Sequence, residues 1–223
     1  MENPLLDVIE AETGPDPRAT ILILHGLGAD GNDFVPIAQE LDLEEVGPVR
    51  FVFPHAPVMP VTINGGHRMR AWYDILGTES QGVQDEAGLR RSQQLVEALI
   101  AREKQRGVPA SRIVLAGFSQ GCAMSLLTGV RHPERLAGIV GMSGYLPLAD
   151  RTAAERTEAS LATPVFLAHG WKDEVVDFER GQRSAEALRA LGYEVEWHEY
   201  PVGHAVCMEE IGELNSWLRR VLA

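Results

Sequence analysis

The chain has 223 residues, 45% of them apolar, and a formal net charge of -12. That length and apolar share suit one domain with a sizeable core, so residues 1–223 are read as a single unit. A field of that sign repels phosphate backbones and anionic lipid surfaces, which argues against nucleic acid as a partner. The first residues, MENPLLD, carry neither a basic start nor an apolar stretch long enough for a signal peptide or a membrane span. No membrane insertion is expected, and the expected compartment is the cytoplasm. The two cysteines, Cys122 and Cys207, are accordingly read as reduced thiols.

In chain order, residues 5–10 alternate apolar and polar side chains and suit an edge strand. Short apolar runs rich in β-branched residues follow at Ala19–Leu24, 49–53, 112–116, 137–142 and 164–168. Each reads as a strand buried on both faces, the pattern of a parallel sheet covered by helices. Residues 194–200 alternate again and suit the other edge. Between these runs lie helical patterns. In Glu86–Gln105, Leu89, Val96, Leu99 and Ile100 share one face. Residues 122–130 are helical, 178–191 form a helix stopped by Gly192, and 209–222 stack Ile211, Leu214, Leu218 and Val221. Strand and helix alternate to the end, which predicts a doubly wound α/β sandwich. Ligands of such sheets bind beyond the carboxyl ends of the strands.

The residues that carry chemistry stand just after those strand runs. The run 112–116 leads into Gly117-Phe118-Ser119-Gln120-Gly121 and then a helix. This is a G-x-S-x-G turn in its strand–turn–helix setting, where a serine is held in a strained conformation with its hydroxyl exposed. A serine hydroxyl is a weak nucleophile at neutral pH and needs a base. On this fold the partners follow in the order serine, acid, histidine. Asp173 follows the run 164–168, with Glu174 and Asp177 as rivals, and His204 follows the run 194–200. His198 lies inside that last strand and is read as structural. Attack creates an oxyanion that needs preorganised donors. The Gln120 amide opens the nucleophile helix, and Leu27 lies in the glycine-rich turn His25-Gly26-Leu27-Gly28. His25 precedes the nucleophile and is read as a packed histidine that holds this turn. The histidines show no metal-ligand spacing, and the glycines at 26, 28 and 31 lack dinucleotide spacing, so no metal or cofactor is inferred.

Together these residues resemble the acyl-protein thioesterase and small carboxylesterase family. The carriers are LHGLGADGNDF at 24–34, RAWYDI at 70–75, GFSQG at 117–121, HGWKDEVV at 169–176 and GHAVCMEEI at 203–211. The resemblance implies the α/β-hydrolase fold, a triad of Ser119, Asp173 and His204, an oxyanion hole at Leu27 and Gln120, and a homodimer. Asp177, Ala205 and Met208 depart from residues common in the family, at positions outside the triad.

Only one short helix and turns fit between the strand runs 137–142 and 164–168, so no cap domain is expected. The long excursion 54–85 is read as a flap bordering an open acyl groove, with Trp72, Ile75 and Val176 as substrate contacts. The expected activity is hydrolysis of short- to medium-chain acyl esters or thioesters through an acyl-enzyme. The alternatives are a protein depalmitoylating thioesterase acting on an acylated-protein client, a lysophospholipase, and a catalytically silent binding module.

Overall fold

The computed structural model describes residues 5–77 and 83–223. The first four residues and positions 78–82 of the expected flap lie outside the described residues. Seven strands form one sheet: β1 (Val8–Glu12), β2 (Ala19–Leu24), β3 (Val49–Pro54), β6 (Ile113–Phe118), β7 (Gly138–Met142), β8 (Val165–Gly170) and β9 (Val195–Tyr200). Two further strands, β4 (Val58–Val61) and β5 (His67–Arg70), make a separate hairpin. The order across the large sheet is β1-β3-β2-β6-β7-β8-β9, parallel except for β1 against β3. Every residue of β2, β3, β7 and β8 is buried, as the near-continuous apolar runs require.

The helices are α1 (Val35–Glu40), α2 (Glu86–Gln105), α3 (Gln120–Gly129), α4 (Ala149–Glu155), α5 (Phe178–Ala190) and α6 (Met208–Val221). One face of the sheet packs Leu22, Leu115 and Ile139 with Leu99 of α2, Leu126 of α3 and Leu188 of α5. The other packs Phe51, Val140 and Phe166 with Ala38 of α1 and with Trp217 and Leu218 of α6. Each fully buried Leu, Ile or Phe in these layers contributes about 1.5–3 kcal/mol. This is the α/β-hydrolase architecture without a cap: only α4 and a turn of 3₁₀ helix lie between β7 and β8.

Two elements differ from the sequence expectation. The first strand is Val8–Glu12 rather than 5–10, because its antiparallel register runs Val8 to Pro54 and Glu12 to Arg50. Glu12 there meets the Arg50 guanidinium at 2.8 Å, a partner that local alternation does not reveal. The expected flap contains the β4–β5 hairpin, whose strands of four residues are too short, and in β4 too interrupted by Pro60, to show a period.

The chain runs from β2 outward to β3, then returns to place β6 on the other side of β2. The order therefore reverses between β2 and β6, and a crevice opens at their carboxyl ends. Leu24 pairs with Gly117 there, which brings the turn after β2 beside the turn after β6.

Candidate active site

Ser119 sits between β6 and α3 at φ 56° and ψ -118°, in a region that side chains rarely adopt. Such strain costs on the order of 1–3 kcal/mol and is held by its surroundings. The Ser119 N–H donates to the Met142 carbonyl at 2.9 Å. The flanking residues must be glycine: a Cβ on Gly117 would lie 2.1 Å from the Gly121 carbonyl oxygen, and one on Gly121 would lie 2.0 Å from that of Leu24. Strand, helix and the end of β2 thus pass each other at backbone contact, leaving the hydroxyl on the crevice wall.

The loops after β8 and β9 are joined through their main chains. Trp171 N–H donates to the Tyr200 carbonyl at 2.9 Å, and Lys172 N–H to that of Val202 at 3.0 Å. A Cβ on Gly170 would lie 2.4 Å from the Gly203 carbonyl oxygen, so this seam also admits no side chain. It brings His204 to Asp173, with His204 Nδ1 2.7 Å from Asp173 Oδ2. The Asp173 side chain is fully buried, and its Oδ1 accepts from the amides of Val175 at 2.8 Å and Val176 at 2.9 Å. The rivals are placed otherwise. Glu174 is exposed, and Asp177 accepts from the Glu179 amide at the start of α5. With Nδ1 donating to Asp173, His204 Nε2 is left as an acceptor. The ring lies 4.7 Å from that of Phe118, the neighbour of Ser119. Among the described residues, His204 makes no hydrogen bond to the Ser119 hydroxyl.

Sequence reasoning assigned no role to His169, the last-but-one residue of β8. It is buried, with Nε2 2.9 Å from the Val176 carbonyl oxygen and 3.3 Å from Asp173 Oδ2. Burial pushes its pKa below the ordinary histidine value. The neutral ring therefore donates from Nε2 to Val176 and closes the Asp173 loop. The adjoining His-Gly pair directly after an apolar run was the available signal. His198 stacks on Phe166 at 4.5 Å and meets Glu213 at 2.6 Å, inside β9 and away from this cluster.

Leu27 and Gln120 both line the crevice with Ser119. Neither of their amides is bonded to another group among the described residues, so both are available to an incoming oxygen. Their supports are explicit. Gln120 Oε1 accepts from the Trp72 amide at 3.0 Å, and its Nε2 donates to the Tyr73 carbonyl at 2.9 Å. Trp72 Nε1 donates to the His25 carbonyl at 2.8 Å. His25 is fully buried and its pKa is lowered, chiefly by that burial. Its Nδ1 lies 2.7 Å from the Gly26 carbonyl and its Nε2 accepts from the Ala56 amide at 3.0 Å, the arrangement of a neutral ring holding the turn.

Beside Ser119 opens a cavity of about 480 Å³ with Ile63, Ile75, Val175 and Val176 on its walls. Ile75 and Val176 thus stand where the sequence reading put them. Trp72 does not. It is 1% exposed and absent from the cavity wall, because its indole is turned into the core to bond His25. Its motif is a brace for the turn after β2. His204 is also not on the cavity wall, so the cavity extends from Ser119 on the side of the free amides. Among the described residues no group of three His, Cys, Asp or Glu side chains is placed to hold a metal ion.

The phospholipase/carboxylesterase family profile matches residues 6–222. A protein of Yarrowia lipolytica called acyl-protein thioesterase 1 is 42% identical over 205 residues, covering 90% of each chain. One of Mycosarcoma maydis with the same name is 41% identical and covers 96% of each chain. Among solved structures, Arabidopsis thaliana SOBER1 superposes with a TM-score of 0.88 at 32% identity, over 92% of this chain and all of its own. Zea mays acyl-protein thioesterase 2 does so with 0.82 at 30% identity, over 96% and 99%.

Proposed function

The chain belongs to the phospholipase/carboxylesterase family of α/β-hydrolases, and from that premise we propose that Ser119, His204 and Asp173 hydrolyse carboxylic esters and thioesters through an acyl-enzyme. The relatives that cover 90% and 96% of the chain, and the Zea mays structure that covers 96% of it, are named acyl-protein thioesterases. The observation that carries the residue assignment is the 2.7 Å contact from His204 Nδ1 to the buried Asp173 carboxylate, with the His204 ring 4.7 Å from that of Phe118, which precedes the strained Ser119.

The reaction follows from this order of groups. His204 Nε2 takes the Ser119 proton as Oγ attacks the acyl carbon, and the imidazolium is stabilised by Asp173. The carbonyl oxygen becomes an oxyanion between the Leu27 and Gln120 amides. His204 then gives its proton to the departing alcohol or thiol, leaving the acyl group on Ser119. Water repeats the sequence and releases the acid. The acyl chain occupies the cavity on the amide side, and the leaving group departs on the His204 side, facing solvent. Oxygen esters and thioesters of one acyl group are therefore both substrates. Labelling with a fluorophosphonate probe tests the reading against a silent binding module, which would take up no probe.

A second reading, protein depalmitoylation, is favoured by the names of the relatives that are 42% and 41% identical. It needs a longer acyl chain in the same cavity and an acylated-protein client. Comparing butyryl with palmitoyl thioesters of one peptide separates the two. Residues 1–223 as one domain, a homodimer and a cytoplasmic setting belong to the same proposal. No helix among the described residues is long and apolar enough to cross a membrane. Sedimentation at micromolar concentration tests the dimer.

A further inference from the structure

A second cavity of about 410 Å³ adjoins the one beside Ser119, with Leu146, Ala149 and Ala187 on its walls. Gln84, Tyr145 and Arg180 line both cavities, so these three side chains stand between them. Direct contacts hold this partition. The central carbon of the Arg180 guanidinium lies over the Tyr145 ring, 3.2 Å from its centre. The Tyr145 hydroxyl is 2.9 Å from that of Tyr73. The Leu146 amide donates to Ser184 Oγ at 2.9 Å, and Ser184 Oγ donates to the Arg180 carbonyl at 2.8 Å. Gln84 Oε1 accepts from the Leu148 amide at 3.1 Å. The loop after β7, the start of α5 and the segment before α2 are thereby joined across the end of the first cavity. The partition is also tied to the nucleophile turn. Gly144 precedes Tyr145, and a Cβ on it would lie 2.8 Å from the Ser119 carbonyl oxygen and 2.5 Å from Cys122 Cβ. The Tyr73 carbonyl accepts from Gln120 Nε2 at 2.9 Å. Both tyrosines are therefore anchored within one residue of a contact to that turn, which fixes how far the partition stands from Ser119.

We propose that Arg180, stacked on Tyr145, is the end stop of the acyl cavity and sets the longest acyl chain that Ser119 accepts well. The inference rests on the reading of that cavity as the acyl site. An acyl chain gains affinity with each methylene it withdraws from water. At the partition the gain ends, because the chain meets a guanidinium and a pair of hydroxyls that a methyl terminus cannot hydrogen-bond. To go further it must part the guanidinium from the ring. Beyond lie Leu146, Ala149 and Ala187, apolar surface that a chain reaches once the partition is open. The stop thus selects short to medium acyl chains over long ones. Arg183, one helical turn on in α5, lines the second cavity alone and supplies a control for charge.

The test is kcat/KM for p-nitrophenyl esters from acetyl to dodecanoyl, with melting temperatures, for wild type, Arg180→Ala, Arg180→Gln and Arg183→Ala. The readout is each ester's kcat/KM relative to the butyryl ester of the same protein. Wild type is expected to climb and then level at one chain length. Arg180→Ala continues to climb past that length, and two carbons beyond it the ratio exceeds that of wild type roughly tenfold, at about fourfold per carbon. Arg180→Gln, shorter and without the guanidinium, moves the limit in the same direction and decides alone should the alanine variant not fold. Arg183→Ala keeps the wild-type limit. Arg180 variants that level at the wild-type length overturn the inference, as does a loss shared equally by all chain lengths. An Arg183→Ala limit that moves as far as that of Arg180→Ala also overturns it, since charge on α5 rather than the stop would then be the cause. A wild-type series flat from acetyl onward defeats the reading of the cavity itself, whereas a wild-type climb beside an unmoved Arg180→Ala limit defeats only the end stop.

Discussion

The two sides of Ser119 are built on opposite principles. On the His204 side, main-chain bonds join the loops after β8 and β9, a buried carboxylate accepts from three nitrogens, and a neutral histidine closes the loop. On the acyl side the walls are mostly apolar side chains, with Asp74, Asp85 and Arg180 among them, and several of the apolar ones are open to solvent: Ile63 is 48% exposed, Val83 61% and Val175 71%. The first side fixes atoms to within a fraction of an ångström, which proton transfer demands. The second offers area without direction, which suits a hydrocarbon chain. Reactivity and chain-length preference should therefore respond to different substitutions.

The largest effect belongs to Ser119→Ala. Loss of the nucleophile lowers kcat by about 10⁶-fold, while the melting temperature stays close to that of the wild type, because alanine keeps the Cβ that strains the positive φ. Steady-state kinetics and calorimetry on the same preparation check both. Next is Asp173→Asn, which keeps the shape and the Val175 and Val176 bonds but presents an amide to His204 Nδ1. The imidazole is then held in the wrong tautomer, and kcat drops by about 10⁴-fold for butyryl and octanoyl esters alike. An effect that varied with acyl length would break the separation of the two sides.

On the acyl side the effects are smaller and depend on chain length. Each methylene buried contributes about 0.8 kcal/mol, or roughly a fourfold gain in kcat/KM per carbon while the cavity lasts. A p-nitrophenyl ester series should climb from acetyl over several carbons and then level. Ile75→Ala and Val176→Ala should flatten the climb and spare acetyl hydrolysis. A wild-type series flat from acetyl onward would show that this cavity is not the acyl site.

The smallest effect is on stability. Because burial raises the Glu210 carboxyl to about 8, the folded protein favours its protonated form. That contribution is fully present below the ordinary carboxylate range and is lost as pH rises through about 8. Wild-type melting temperature should thus fall more than that of Glu210→Gln between neutral and alkaline pH. Equal slopes for the two proteins would show that Glu210 does not titrate in the fold.

The same division explains what the sequence makes legible. Strands Ala19–Leu24 and the nucleophile turn declare themselves locally, through apolar runs and through glycines that must pass at backbone contact. The order of Ser119, Asp173 and His204 follows from the loop after each strand. His169 was not legible, because its role comes from what lies across the loop, a carbonyl three residues beyond Asp173. Trp72 misled for the complementary reason. An indole beside a groove-forming segment suggests a substrate contact, and only its bond to the His25 carbonyl reveals a brace. The hairpin of β4 and β5 has too few residues for a period to emerge.

One covalent bond tests the assignment of Ser119 most directly. Mass spectrometry of the fluorophosphonate-treated protein should find a single adduct on the peptide that carries Ser119, formed slowly in His204→Ala and absent in Ser119→Ala. An adduct on any other residue, or undiminished labelling of Ser119→Ala, would contradict the assignment of the nucleophile.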